Sequence, residues 1–219
     1  MAVAGIRRTI ALVILVSVTV LVQSIDPEDL TPVTFVNRTG REIVQLFASP
    51  RNSRVWGAGL LNATRRLPDE GRVTFYLHGD NSFAYDILAV DDTSEAYVIW
   101  NRTLGPDMPT VVEIGLSDRE GGYDRPRYGT VRVVNESGSD IWFLFLSAVD
   151  SPLRGADMLD AGTILENGET LTIVVPVFRE VAQYELLGLD LAQRVFRTRV
   201  DVSDAAATRT IAIDTLDIR

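Results

Sequence analysis

Asp86, Asp91, Asp92 and Glu95 place four carboxylates in one short stretch, and oxygen ligands of this kind could hold Ca²⁺ at a strand end. No DxDxDG loop accompanies them, so the competing reading is a solvated turn. Paired carboxylates could also act as acid and base in glycoside cleavage, which needs neither His nor Cys; with 30 acidic residues in the chain, nothing marks one pair. A third chemistry is stacking. Trp56, Trp100 and Tyr123, and also Tyr76, offer aromatic faces to a sugar or a peptide, although core packing is the commoner use of such rings. Tyr123 sits in a polar stretch and is the least suited of these to a core.

Other chemistries are closed by composition. The chain has no Cys, which removes disulfides, thiolate nucleophiles, iron–sulfur clusters, Cys-ligated zinc and the lipid-modified Cys of a lipoprotein. His78 is the single histidine, so a site needing two imidazoles from one chain cannot form. No G-x-S-x-G accompanies His78, which reads as a surface residue at a strand end. Gly57-Ala58-Gly59 lacks the third glycine and the strand-to-helix context of a dinucleotide fingerprint. All 21 basic residues are Arg, and the formal charge is −9. A surface this acidic repels phosphate backbones and argues against nucleic acid as a partner.

The opening MAVAGIRRTIALVILVSVTVLVQS sets two arginines before an uncharged run from Thr9 to Val22, with Val22 and Ser24 at the spacing of a cleavage site. Those 14 residues would span about 21 Å as a helix, short of the roughly 30 Å hydrocarbon layer. The pattern predicts a signal peptide over 1–24, general secretion, and a periplasmic or secreted product; membrane contact would come only from an uncleaved leader.

The elements that must position these residues occur in two series. VTFVNRTGREIVQLFAS (33–49) aligns without a gap with VRVVNESGSDIWFLFLS (131–147), matching Asn37 with Asn135, Gly40 with Gly138 and Ser49 with Ser147. Further on Gly57 matches Gly155, Leu67 matches Leu165, and YDILAVD (85–91) matches YELLGLD (184–190). Such self-similarity predicts a duplicated module. Short alternating or apolar runs with turn-rich gaps predict an all-β fold: two tandem six-stranded sandwich- or barrel-like modules over 33–117 and 130–216. Residues 25–32 read as a lead-in and 118–129, rich in Gly, Pro and charge, as a linker. VTFVN and EIVQLFA read as a hairpin around the N-x-[T/S]-G turn, with Gly supplying positive φ. WGAGLLNATRRL and its partner RGADMLDAGTIL read as a loop or a single helical turn.

The strands around Tyr85 and Tyr184 are apolar on both faces, as a central strand covered on two sides must be. Ala89 and Gly188 would leave room there for a large neighbour, with the three tryptophans as the candidates. N-x-[S/T] occurs at Asn37, Asn62, Asn101 and Asn135; in the repeated turn Asn and Thr or Ser have a local task, capping backbone groups.

The string N-R-T-G-R-E-I-V-Q-L-F-A-S-P, then W-G-A-G-L-L, then Y-D-I-L-A-V-D, resembles an uncharacterised family of exported bacterial modules with the pattern N-x-T-G, S-P, W-G and Y-D-x-x-A-x-D, often in tandem. The resemblance covers 33–101 well and 131–200 weakly, since Ala148 and Arg154 stand where the first series has Pro50 and Trp56. It implies export and an all-β fold, and no mechanism. The expectation is therefore an exported, non-catalytic binding or envelope-structural protein with a protein or glycan partner in the cell envelope and no required cofactor. A calcium- or carbohydrate-binding module is the alternative, and a carboxylate-based hydrolase the third reading.

Overall fold

The structure, a computed structural model, describes residues 29–215 apart from 52, 54, 80–83, 105–109, 125, 150, 152, 178–182 and 203–207; the expected signal peptide lies outside the described residues. The first half contributes β1 (Leu30–Arg38), β2 (Ile43–Pro50), β3 (Arg72–His78), β4 (Ala84–Asp91), β5 (Ala96–Thr103) and β6 (Thr110–Gly115). After one 3-10 turn, Leu116–Asp118, the second half contributes β7 (Arg127–Asn135), β8 (Ile141–Ala148), β9 (Ala156–Asp160), β10 (Thr170–Val177), β11 (Gln183–Asp190), β12 (Val195–Asp201) and β13 (Thr208–Ile213). The fold is all-β and sandwich-like, with three sheets and no closed barrel.

In the first half β1 runs antiparallel to β3 and parallel to β6, while β4 lies between β2 and β5. The second half uses the same scheme: β7 between β10 and β13, β11 between β8 and β12. The register recurs as well, with Val36 opposite Arg72 and Val134 opposite Thr170.

Side-chain alternation explains why β4 and β11 are apolar throughout. Tyr85, Ile87 and Ala89 enter the main core together with Phe35, Phe75 and Ile114 of the opposite sheet, whereas Leu88 and Val90 join Phe47, Trp56 and Val98 in a second cluster on the outer face. Tyr184 and Leu186 enter the same main core, and Leu187 and Leu189 pack outside with Phe145 and Val195. Both tyrosines are fully buried, and burial raises the pKa of each. Each phenol donates to a strand-end carbonyl, Tyr85 to His78 and Tyr184 to Pro176. The space above Gly188 is taken by Ile213, whose Cδ1 would lie 3.4 Å from an added Cβ, and not by a tryptophan.

The N-x-[T/S]-G turn is a corner, not a hairpin. β1 and β2 belong to different sheets, and the turn carries the chain across the core. Asn37, 0% exposed, holds it: Oδ1 accepts from Thr39 N (3.0 Å) and Thr39 Oγ1 (2.8 Å), and Nδ2 donates to Arg41 O (2.7 Å) and Leu67 O (2.9 Å). Asn135 makes the matching set with Ser137 N, Ser137 Oγ, Ser139 O and Leu165 O. Gly40 and Gly138 both adopt φ of 78°, as the turn requires. Asn37 and Asn135, being fully buried, cannot carry glycans.

The segment after β8 departs from the expected loop. It forms β9, a seventh strand for the second half, which pairs with β8 at Phe145–Asp157 and with β3 at Leu77–Ala156 and so joins the halves in one seven-stranded sheet. The expected linker is likewise only partly a linker, because β7 begins at Arg127 and Tyr128 stacks on Phe47 (5.7 Å between centroids, 5° between planes). His78 is half-buried rather than on the surface; its Nδ1 accepts from Arg154 N (3.2 Å), and burial chiefly lowers its pKa, with Asp29 opposing and Arg154 adding.

Asp157 sits in this seam, buried, its Oδ1 accepting from Leu144 N (2.8 Å) and Leu159 N (3.1 Å). Burial pushes its pKa well above the usual carboxylate value, against those two hydrogen bonds. A carboxyl with a raised folded pKa favours the fold below the unfolded pKa of about 4 and loses that contribution as pH climbs through the folded value. Asp157→Asn keeps the acceptor and removes the titration. Urea unfolding should show the variant gaining on the parent by more than about 1 kcal/mol between pH 4 and pH 8; parallel pH profiles would contradict the assignment.

Candidate functional site

The three aromatic residues singled out for stacking, scattered over 67 positions between Trp56 and Tyr123, meet on the outer face of the β2–β4–β5 sheet. They line a cleft of about 260 Å³ together with Asp86, Ser49 and Ser53. The Trp56 and Trp100 rings lie 5.9 Å apart, tilted by 33°, and Trp56 Nε1 donates to Tyr123 OH at 2.6 Å.

Each wall has a local cause. Trp56 lies in the β2–β3 connection, 8% exposed, with its ring on the outer cluster of Phe47, Leu88, Val90 and Val98. Gly57 N donates to Ser49 Oγ (2.6 Å), tying that connection to β2, and a Cβ at Gly57 would press on Ala48 O at 3.3 Å. Tyr123 comes from the segment between the halves. Burial raises its phenol pKa, opposed by the Trp56 bond and supported by Glu120, Asp124 and Asp86, so it stays protonated at neutral pH. Having accepted from Trp56, it keeps its own O–H to donate.

Trp100 is 55% exposed, an unusual position for an indole on a strand. The β4–β5 pairing jumps from Ile87–Ile99 to Tyr85–Arg102, so Asp86 faces two residues, Trp100 and Asn101. Asn101 takes φ of 58°, the left-handed conformation that Asn tolerates best among non-Gly residues, and its N–H donates to Asp86 Oδ1 at 2.7 Å. The β11–β12 pairing runs without a jump from Gln183–Asp201 to Leu189–Val195. A bulge therefore aims Trp100 over the cleft at a point where the second half has a regular ladder. Sequence reasoning missed Asp86 in this role; the signal was Asn101, one residue after a tryptophan at a strand end.

The proposed calcium ligands do not converge. Asp91 Oδ1 accepts from Thr93 N (2.8 Å), Thr93 Oγ1 (2.8 Å) and Glu95 N (2.9 Å), and Oδ2 from Tyr97 OH (3.1 Å). Burial would raise its pKa, but these bonds outweigh burial and hold it below the ordinary carboxylate value. Asp92 pairs with Arg41 at 2.9 Å, Glu95 with Arg119 at 2.9 Å, and Asp86 caps Asn101. Among the described residues no group of three or more His, Asp or Glu side chains could hold a metal ion. Asp91 is a turn cap, mirrored by Asp190, which accepts from Arg194 N at 2.8 Å. Tyr76 packs edge-on against Phe143 (6.2 Å) and so braces the two halves.

No family model matches this chain, and no curated protein matches it. Among solved structures it is similar to CBMbc, a family CBM26 module from Eubacterium rectale Amy13K crystallised in complex with maltoheptaose: 10% identity over 85% of this chain and 93% of that one, with a TM-score of 0.25. A score that low carries no argument.

If the Tyr123 phenol holds Trp56 in place, Tyr123→Phe leaves a mostly buried indole N–H without its acceptor. Stability should fall by about 1–2 kcal/mol and tryptophan emission should shift to the red; an unchanged urea midpoint and spectrum would show that the bond positions nothing.

Proposed function

We propose that this chain is a non-catalytic carbohydrate-binding protein whose ligand lies in the Trp56–Trp100–Tyr123 cleft. The observation that carries this reading is the pair of adjacent, tilted indoles, one of them more than half exposed, over a cleft whose other lining residues are Val55 and the polar Ser49, Ser53, Asp86 and Tyr123. The C–H face of a pyranose packs on an aromatic ring, while its hydroxyls need donors and acceptors at the rim. The Tyr123 O–H can donate, the second Asp86 oxygen and the Ser53 hydroxyl can accept. Non-catalysis is supported by the lining: among the described residues one carboxylate borders the cleft, whereas glycoside hydrolysis ordinarily takes two.

The leader-like residues 1–24 support a place outside the cytoplasm, in the periplasm or secreted, where glycan partners are abundant. The halves we read as copies of one module. The shared strand scheme, register and Asn corners support that reading, and Arg154 stands in the second copy where the first has Trp56.

Titration of the purified chain with a panel of polysaccharides should quench tryptophan emission for at least one member. Trp100→Ala should weaken that binding about tenfold or more, and its exposed position predicts a stability change within about 0.5 kcal/mol. A spectrum that responds to no glycan, or an unaltered affinity in Trp100→Ala, would rule the cleft out as a sugar site.

A further inference from the structure

The place on the second half that corresponds to the aromatic cleft carries the opposite chemistry. Trp56, Asp86, Val98 and Trp100 correspond to Arg154, Glu185, Arg197 and Arg199. Across β11–β12, Glu185 stands opposite Arg199 and Leu187 opposite Arg197, which puts these side chains on one face of the sheet. Arg154 Nη1 pairs with Glu185 Oε2, and Arg197 Nε lies 3.8 Å from Glu185 Oε1, beyond hydrogen-bond reach. One carboxylate is thus set among three guanidinium groups in a chain whose formal charge is −9.

Arg197 Nε and Nη2 are buried and have no hydrogen-bond partner among the described residues. Two such N–H groups without acceptors are expensive in a folded protein, and a missing ion is one of the standard reasons for finding them. Both lie on one edge of the guanidinium, the edge that grips an oxyanion through two parallel bonds. The Arg197 and Arg154 side chains keep 28% and 19% of their surface, so the cluster lies near solvent although the unpaired Arg197 atoms are themselves covered.

The geometry points to a second binding site, centred on Arg197 with Arg154 and Arg199 at its rim, for an oxyanion: a carboxylate, sulfate or phosphate group. It is centred on β8–β11–β12 and uses none of Asp86, Trp100 or Tyr123 of the cleft on β2–β4–β5, although Arg154 and Trp56 line one small pocket between the two. Glu185 holds Arg154 in place and leaves the Arg197 edge for the ligand.

Thermal melts of the whole protein in sulfate, phosphate and glucuronate, each against chloride at matched ionic strength, test this. At about ten times its dissociation constant a bound anion should raise Tm by roughly 3–5 °C, saturably, and Arg197→Met, which keeps the packing stem, should lose most of the rise. A response to glucuronate alone identifies a carboxylate ligand, and a response to sulfate and phosphate alone a tetrahedral one. Trp100→Ala should respond like the parent chain. No saturable rise in any anion, or the same rise in Arg197→Met, as general salt exclusion would give, overturns the site. Should Arg197→Met not fold, calorimetric titration of the unaltered chain with the same anions decides, and absence of binding up to millimolar concentrations refutes it.

Discussion

A chain that builds a sandwich must cross from one sheet to the other, and at each crossing it exposes peptide groups that no ladder can pair. Asn37 and Asn135 solve this. Each primary amide uses both N–H donors and both oxygen lone pairs at full burial, tying the crossing turn to the Leu67 or Leu165 segment, which itself bridges Ile43 or Ile141. Leaving such groups unpaired in a low-dielectric core costs more than making the bonds gains, so these corners admit little besides Asn. The facing sheets, the outer-face clusters and the cleft are all placed relative to them.

Once the corners are set, the two outer faces are free to differ. Both receive an acidic residue from the central strand, Asp86 or Glu185, in the same register with Ser49 or Ser147. In the first half, aromatic rings and a bulge surround the acid; in the second, arginines do. The common scaffold explains why the acid recurs, and the different neighbours explain how it caps a bulge in one place and an ion pair in the other.

Much of the fold was legible in the sequence because burial leaves a local trace. YDILAVD and YELLGLD read as central strands since both faces must be apolar, and each does run between two paired neighbours, β4 between β2 and β5, β11 between β8 and β12. The Asn turn was legible as a cap, but not as a corner: a turn motif encodes its own backbone, whereas the choice of strand partner depends on residues such as Leu67 and Leu165, 30 positions away. β9 left no alternating pattern, because it is short and buried between β8 and β3. Trp56, Trp100 and Tyr123 were recognisable by type alone. Their convergence was not, since it needs the Asn101 bulge and a segment folded back from between the halves. The four carboxylates suggested calcium because sequence shows how many acids lie close together, not that Asn101, Thr93, Tyr97, Arg41 and Arg119 already engage them.

The most direct test of this account is the urea stability of Asn37→Asp and Asn135→Asp at neutral pH. The replacement keeps the shape but removes two donors and sets a carboxylate oxygen against the carbonyls of Arg41 and Leu67, or of Ser139 and Leu165. Each should cost about 3 kcal/mol or more, and by similar amounts in the two halves. A loss below about 0.5 kcal/mol at either position, the range of an ordinary surface change, would contradict the claim that these amides hold the sandwich together.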